Sequence, residues 1–107
     1  MKLESLRQFA LKLPEVTEEP HFKFSSFRVR GKIFVTVPPE QTHIHVFVDD
    51  DEREPALARH PEFLEKLWWG KKVCGLRVLM AKADPAVVQS LVKAAWRRKA
   101  PKTLQAR

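Results

Sequence analysis

Residues 13–34, LPEVTEEPHFKFSSFRVRGKIF, constrain the fold more than any other part of the chain. Within residues 24–30, Phe27 and Val29 alternate with Ser26, Arg28 and Arg30, and a period of two is typical of a half-buried β-strand. Gly31-Lys32 interrupts this pattern, and a β-branched run resumes it over residues 33–37. A glycine between two such runs is a hairpin signal. The sequence therefore predicts a β-hairpin here, with a loop of either two or three residues.

The segments on either side of this hairpin predict a helix, a turn and a third strand. Apolar residues recur at helical spacing over residues 3–13, and Pro14 ends that helix because proline disfavours helical geometry in the residue before it. Residues 17–20, Thr-Glu-Glu-Pro, predict a polar turn. Residues 43–48 alternate cleanly and predict a strand with Ile44, Val46 and Val48 facing inward.

The second half of the chain predicts a short helix, a strand and a long helix. Carboxylates at residues 49–52 suit the start of a helix that runs from about Asp51 to Arg59. Residues 73–81 predict a fourth strand. Asp84-Pro85 is the preferred start of a last helix, with an acidic N-cap followed by proline, and Pro101 stops it. The polar tail from Pro101 to Arg107 is expected to fray.

Residues 61–70 contain five bulky apolar side chains, which we expect to cap one end of the core: Phe63, Leu64, Leu67, Trp68 and Trp69. The predicted order is helix, three strands, helix, strand, helix. Hairpin-linked strands imply an antiparallel sheet. The sequence thus predicts one α+β domain over residues 1–107, with the N- and C-terminal helices packed on one face of an antiparallel sheet.

Four motifs extend over nearly the whole chain: LPxVTxxPHF at 13–22, SFRVRGKIF at 26–34, WG at 69–70 and AxWRRxAPK at 94–102. Together they resemble the MmcQ/YjbR family of small bacterial proteins. The resemblance implies an α+β fold like that of frataxin-type proteins, and a DNA-binding label that is often attached to the family, but no catalytic motif. One position departs from the family pattern, because Leu76 follows Gly75 where an aromatic residue is common.

The chain is strongly basic, with 20 Lys and Arg against 13 Asp and Glu, a net charge of +7 and a pI near 9.9. Such a balance favours polyanionic partners, because neutralising phosphates releases condensed counterions. The alternative is that the charge serves solubility alone. Clustering of the charge in the fold distinguishes the two.

The outer face of the predicted sheet is the candidate binding surface. With Ile44, Val46 and Val48 inward, alternation turns six other side chains outward: Arg28, Arg30, His43, His45, Phe47 and Arg77. Phe34 joins them or not according to the length of the hairpin loop. Aromatic rings among cations on an open sheet can stack bases and contact phosphates. The alternative is an ordinary solvated sheet face.

The basic segment near the C-terminus is a second candidate, with five cations: Arg97, Arg98, Lys99, Lys102 and Arg107. It is either an arm for phosphate contacts or a solvated helix end whose cations suit the helix dipole. Combining both surfaces, the predicted nucleic-acid contacts are Arg28, Arg30, Lys32, Arg77, Arg97 and Arg98.

No catalytic, metal or cofactor site is predicted. His43-x-His45 places two imidazoles about 7 Å apart on one strand face, but a zinc site requires a further ligand, and only His21 is a candidate. Cys74, near Lys71 and Lys72, is either an activated thiol or, as is more common, an inert buried cysteine. We therefore expect no cofactor, no bound metal and no enzymatic activity.

The sequence gives no sign of a membrane or secretory protein. No apolar run approaches the ~18 residues of a membrane span, and the N-terminus lacks the apolar stretch of a signal peptide. The lone cysteine gives no reason to invoke secretion. The sequence predicts a cytoplasmic, non-enzymatic module that binds DNA or RNA, and it leaves the oligomeric state open, with a monomer favoured. The alternative is an adaptor for a protein or small ligand that uses the turn at residues 17–22.

Overall fold

Six antiparallel strands form one sheet in the order β1-β2-β3-β4-β6-β5. The computed structural model describes residues 1–105. The strands are β1 (Val16–His21), β2 (Phe24–Val29), β3 (Lys32–Val37), β4 (His43–Val46), β5 (Leu64–Trp69) and β6 (Lys72–Leu79). The helices are α1 (Leu3–Lys12), α2 (Asp50–Arg59), α3 (Pro85–Lys99) and α4 (Lys102–Gln105), with a 3₁₀ turn at Met80–Lys82. The predicted α+β fold with an antiparallel sheet is confirmed.

A two-residue turn at Arg30-Gly31 sets the register of the central hairpin. Both residues have positive φ, 48° and 81°, as a type I′ turn requires, and Val29 pairs directly with Lys32. This answers the question that the sequence left open about loop length. A bulge then leaves Phe34 outside the regular pairing of β2 with β3, and its side chain is fully buried. Phe34 is therefore a core residue and not part of the outer face.

The core is a row of apolar side chains on the inner sheet face, covered by two helices. Pairing aligns one residue from each of four strands in that row, which consists of Phe27, Val35, Val46 and Leu76. On α3 the buried residues are Val88, Leu91, Val92, Ala95 and Trp96, and on α1 they are Leu6 and Ala10. Each large apolar side chain buried in this way contributes about 1.5–3 kcal/mol. The predicted packing of the first and last helices on the sheet is confirmed.

The start and end of α3 agree with the sequence signals. Asp84 is the N-cap, and its Oδ1 accepts a hydrogen bond from the Ala86 N–H at 2.9 Å, while Pro85 occupies the first turn. The helix ends at Lys99, two residues before Pro101. Proline fits both places because it lacks a backbone N–H. The first turn of a helix does not need that donor, whereas a helix that continued through Pro101 would need it.

Both edge strands correct the prediction from sequence. Residues 17–20 were predicted as a turn, but they belong to β1, which pairs with β2 along its whole length. Only one side of β1 is paired, so Pro20 is tolerated there. Residues 61–70 were predicted to cap the core, yet most of them form β5 at the opposite edge. Phe63 and Leu64 are buried, whereas Trp68 and Trp69 are 58% and 83% exposed.

The segment after α3 also differs from the prediction of a frayed polar tail. Residues 102–105 form α4, and Leu104 is buried against the core. The Gln105 side chain donates hydrogen bonds to the carbonyls of Arg97 and Ala100 at 2.7 and 2.8 Å. One apolar residue in a polar segment thus anchors it. Arg107 lies outside the described residues.

We expect Gly75→Ala to destabilise the protein by about 3 kcal/mol or more, because adding a side chain to a tightly packed site forces the backbone to shift. A Cβ at Gly75 lies 2.2 Å from the Val46 carbonyl oxygen. Gly70→Ala is the matched control. A Cβ at Gly70 meets nothing within 4 Å, but the backbone of Gly70 has a φ of 60°. We therefore expect Gly70→Ala to lower the free energy of unfolding by about 1–2 kcal/mol. Urea unfolding measures both, and an equal cost would contradict this reading of Gly75.

Candidate nucleic-acid interface

A polar stripe crosses the outer face of the sheet. Strand pairing aligns one residue from each of the six strands in the stripe, in the order Glu19, Ser26, Thr36, His45, Arg77 and Glu65. The outward direction predicted for His45 and Arg77 agrees with this register. Ser26 and Thr36 are nonetheless buried, so longer neighbouring side chains cover the middle of the stripe. The outer face is less open than alternation alone suggests.

Three of the predicted phosphate contacts on this face are bonded to acceptors of the protein itself. Arg28 donates from Nε to Ser26 Oγ at 3.0 Å and from Nη2 to the Pro20 carbonyl at 3.1 Å. Arg77 donates from Nη1 to Glu65 at 2.6 Å. The remaining arginine, Arg30, pairs with Glu15 through two hydrogen bonds at 2.9 and 3.1 Å. Each of these guanidinium groups keeps further N–H donors, but the bonds that it already makes fix its orientation.

His45 is not a cation of this surface at neutral pH. Burial lowers the pKa of His45, and the nearby charges of Arg77 and His43 lower it further. Its ring also lies 6.1 Å from that of Phe24, measured between centroids. Its neighbour on the same strand, His43, is hydrogen-bonded at Nδ1 to Thr42 Oγ1 at 2.9 Å. Within residues 1–105, no group of three or more His, Cys, Asp or Glu side chains is placed to hold a metal ion.

One groove brings cations and aromatic rings together. It has a volume of about 630 Å³ and is lined by His21, Ile33, Thr36, Phe47, Trp69, Gly70, Lys72, Val73, Cys74, Arg98 and Lys99. Three of these residues are cationic and three are aromatic or imidazole, whereas none carries a carboxylate. We call it the basic groove. Each of four other surface grooves contains at least one Asp or Glu.

The two adjacent arginines of α3 differ in whether they reach the basic groove. Arg98 lines the basic groove and donates from Nη1 to the Phe47 carbonyl at 3.3 Å. Both arginines line a second groove, which contains Asp49, Asp51 and Glu52. The carboxylates of that groove lower the local positive potential around both side chains. Of these two predicted contacts, the structure therefore brings only Arg98 into the basic groove.

The basic groove includes two cations outside the six predicted contacts, Lys72 and Lys99, the second of which belongs to the basic segment near the C-terminus. Lys72 follows Trp69 and Gly70 in the β5–β6 hairpin, and an aromatic strand followed by glycine is a hairpin signal that was available in the sequence. Of the six predicted contacts, the remaining one is Lys32, which is exposed beside the Arg30-Gly31 turn but does not line the groove.

Cys74 lies at a bulge in β6 and lines the basic groove. Leu67 pairs with Gly75 and Trp68 with Val73, so Cys74 has no partner on β5. Its side chain is partly exposed, in contrast to the predicted buried cysteine. A bulge of this kind redirects a side chain and increases the local twist, which places Cys74 on the floor of the groove.

The β1–β2 hairpin carries a second unusual feature. Phe22 at its tip is 93% exposed and has a φ of 56°, a conformation that costs a residue with a side chain about 1–2 kcal/mol. The ring contacts His21 edge-on, with centroids 4.9 Å apart. A large apolar side chain in this conformation gains little from folding, which makes Phe22 a candidate contact for a partner.

Comparison with known proteins supports the resemblance seen in the sequence. The family model described as YjbR matches residues 11–98. A crystal structure of Deinococcus radiodurans protein DR2400, with the family-model domain DUF419, superposes with a TM-score of 0.75 and 18% identity, covering 89% of this chain and 75% of that one. At this identity the likeness shows the fold alone. No curated protein matches the chain. Within residues 1–105, no helix is both long and apolar enough to cross a membrane.

The lowered pKa of His45 predicts a pH dependence of stability. The folded state favours the neutral ring, so acid favours the unfolded state. The contribution of His45 to stability therefore falls as pH drops below the ordinary value of about 6.5 and levels off beneath the lowered folded pKa. We expect His45→Gln to lose less stability than the wild type between about pH 7.5 and pH 5 in urea unfolding. Equal losses would contradict the assignment.

Proposed function

The chain belongs to the YjbR family, and on that premise we propose that it is a non-enzymatic module that binds nucleic acid through phosphate contacts, without base specificity. The observation that carries this proposal is the basic groove, in which Lys72, Arg98 and Lys99 lie beside Phe47 and Trp69 with no carboxylate in the lining. A local excess of cations attracts phosphates, and the net charge of +7 adds long-range attraction.

The charge of the groove sets the strength and salt dependence that we expect. Three groove cations that each neutralise a phosphate give a slope of log K against log salt of about −2 to −3. Nonspecific affinities of this kind lie between about 1 and 100 μM at physiological salt. Lys32, Arg28, Arg30 and Arg77 do not line the groove and add to the surrounding potential. We assign the direct contacts to Lys72, Arg98 and Lys99.

The non-enzymatic and cytoplasmic parts of the proposal rest on side-chain chemistry. Within residues 1–105, no Ser, Thr or Cys bonds a histidine that a carboxylate in turn orients, and acyl-transfer sites use such an arrangement. A single cysteine that forms no disulfide suits a reducing compartment. We expect no base specificity, because the groove presents aromatic faces and cations, which every nucleotide can contact.

The adjacent arginines of α3 provide the test. We expect Arg98→Gln to weaken binding and to reduce the magnitude of the salt slope by about one, because one phosphate contact is lost. Arg97→Gln removes the same charge from a side chain that does not line the basic groove, so we expect its slope to match the wild type. Fluorescence anisotropy with labelled duplex DNA, single-stranded DNA and RNA across a salt series measures both variants.

Two outcomes would overturn the proposal at different points. Equal changes in the two variants would mean that only net charge matters and that the groove is wrongly assigned. Absence of salt-sensitive binding by the wild-type protein, even at low ionic strength, would remove the nucleic-acid function altogether. In that case the second candidate would take its place.

The second candidate function is that of a protein-binding adaptor that uses Phe22, and the exposure and left-handed backbone of that residue favour it. Strained residues that persist without a structural gain are found at binding sites more often than elsewhere. Phe22 also lines a groove of about 490 Å³ that includes Pro20, Pro38 and Pro39. An apolar ring beside proline-rich walls suits a peptide contact.

We expect Phe22→Gly to leave the free energy of unfolding within about 1 kcal/mol of the wild type, or to raise it, because glycine adopts positive φ without strain. Urea unfolding measures the change. A loss of more than about 2 kcal/mol would mean that the ring packs as part of the fold, and the adaptor function would then lose its support.

A further inference from the structure

We propose that the basic groove binds single-stranded nucleic acid in preference to duplex, with the indole of Trp69 as the platform on which an unpaired base stacks. This inference rests on the proposed function and specifies the class of nucleic acid. It follows from the apolar part of the groove, which the phosphate contacts do not use.

Trp69 is positioned as a ligand contact rather than as a core residue. Its side chain is 83% exposed, although it lies in a regular strand next to the hairpin turn at Gly70. The strand fixes the backbone, so a ligand that orders the ring restricts only the side-chain torsions of Trp69. An exposed indole suits stacking, because every base presents a flat π face.

The rest of the groove floor is also apolar. Ile33, Phe47 and Val73 line it together with Trp69. In a duplex the base faces are stacked on each other, so the surface that a groove of this kind meets is mostly sugar and phosphate. An apolar floor gains nothing from such a surface. Unpaired bases expose their faces and can fill it.

The cations of the groove come from two separate elements. Lys72 begins β6, whereas Arg98 and Lys99 lie at the C-terminal end of α3. A single strand requires both kinds of contact within one short stretch, apolar for the base and cationic for the phosphate. The volume of about 630 Å³ is that of a small-ligand pocket, so a short stretch of strand occupies it.

The helices of the protein are poorly suited to reading a duplex. The apolar stripe of α3 is buried in the core. Its exposed side is flanked by carboxylates of α2, since Asp51 and Glu52 share one groove with Ala86 and Ser90 and another with Arg97. A helix inserted in the major groove has phosphates on both sides, and these carboxylates would repel them. The charge distribution therefore favours the basic groove and a single strand.

The test compares two adjacent tryptophans. Trp68 is also exposed, at 58%, but does not line the basic groove. We expect Trp69→Ala to weaken binding of labelled oligo(dT) or oligo(rU), each about 12 nucleotides long, by roughly 5- to 150-fold, which corresponds to 1–3 kcal/mol for one stacked base. We expect Trp68→Ala to bind like the wild type and Trp69→Phe to retain most of the affinity.

Three further measurements separate stacking from charge. The salt slope of Trp69→Ala should equal that of the wild type, because no phosphate contact is removed. An abasic oligomer of the same length keeps the phosphates, and we expect it to bind the wild type as weakly as oligo(dT) binds Trp69→Ala. Poly-glutamate, which supplies charge without bases, should compete poorly. Oligo(dT) and oligo(rU) in parallel distinguish DNA from RNA as the source of the strand.

The outcomes distinguish this inference from the function on which it rests. Salt-sensitive binding of duplex that is as tight as that of single strands, with no effect of Trp69→Ala, would overturn the inference and leave nucleic-acid binding in place. Equal binding of the abasic oligomer or of poly-glutamate would identify a general polyanion site and also overturn the inference. No salt-sensitive binding to any nucleic acid would overturn both. The urea unfolding midpoints of all variants confirm that each is folded.

Discussion

The contact between α3 and the inner row of the sheet is the interaction on which the other features depend. The row that contains Phe27 and Val35 faces α3 only because the β2–β3 hairpin has one register. A slip of one residue would turn the whole row toward solvent. The Arg30-Gly31 turn excludes that slip, since both residues adopt the positive φ that a two-residue hairpin loop requires. A local backbone preference thus decides which face of the sheet is buried and which remains for binding.

The outer face that this register creates is largely occupied by the protein's own hydrogen bonds. Arg28 bonds to Ser26 and to a carbonyl, and Arg77 pairs with Glu65. At exposed positions such bonds contribute no more than about 1 kcal/mol, but they hold the guanidinium groups in fixed orientations. The groove beside the β5–β6 hairpin and the end of α3 differs in that its own lining contains no carboxylate. Because the arginines of the outer face bond to acceptors of the protein itself, we expect the binding surface to be the basic groove.

The sequence predicted the parts of the fold whose burial is periodic and missed those whose burial is not. The central strands alternate, and Asp84-Pro85 marks the start of α3, so these elements were found. The edge strands β1 and β5 have a free side that faces solvent, and their side chains do not alternate clearly. No local pattern signals that Leu104 anchors α4, because its burial depends on the tertiary packing. The site was predicted only in part for the same reason: Arg98 and Lys99 lie in a recognisable basic run, whereas Lys72 joins them only in three dimensions.

Adjacent residues with the same chemistry reach different surroundings in this fold, and composition cannot separate them. Strand alternation turns Trp68 away from the groove that Trp69 lines. The helical rotation of about 100° per residue keeps Arg97 out of that groove, although Arg97 and Arg98 both line the acidic groove beside α2. The carboxylates at the start of α2 stabilise that helix through the dipole, and they line the groove that the two arginines share but not the basic groove. The positive charge of the chain, which is otherwise a property of composition, therefore meets aromatic rings in a groove whose own lining carries no carboxylate.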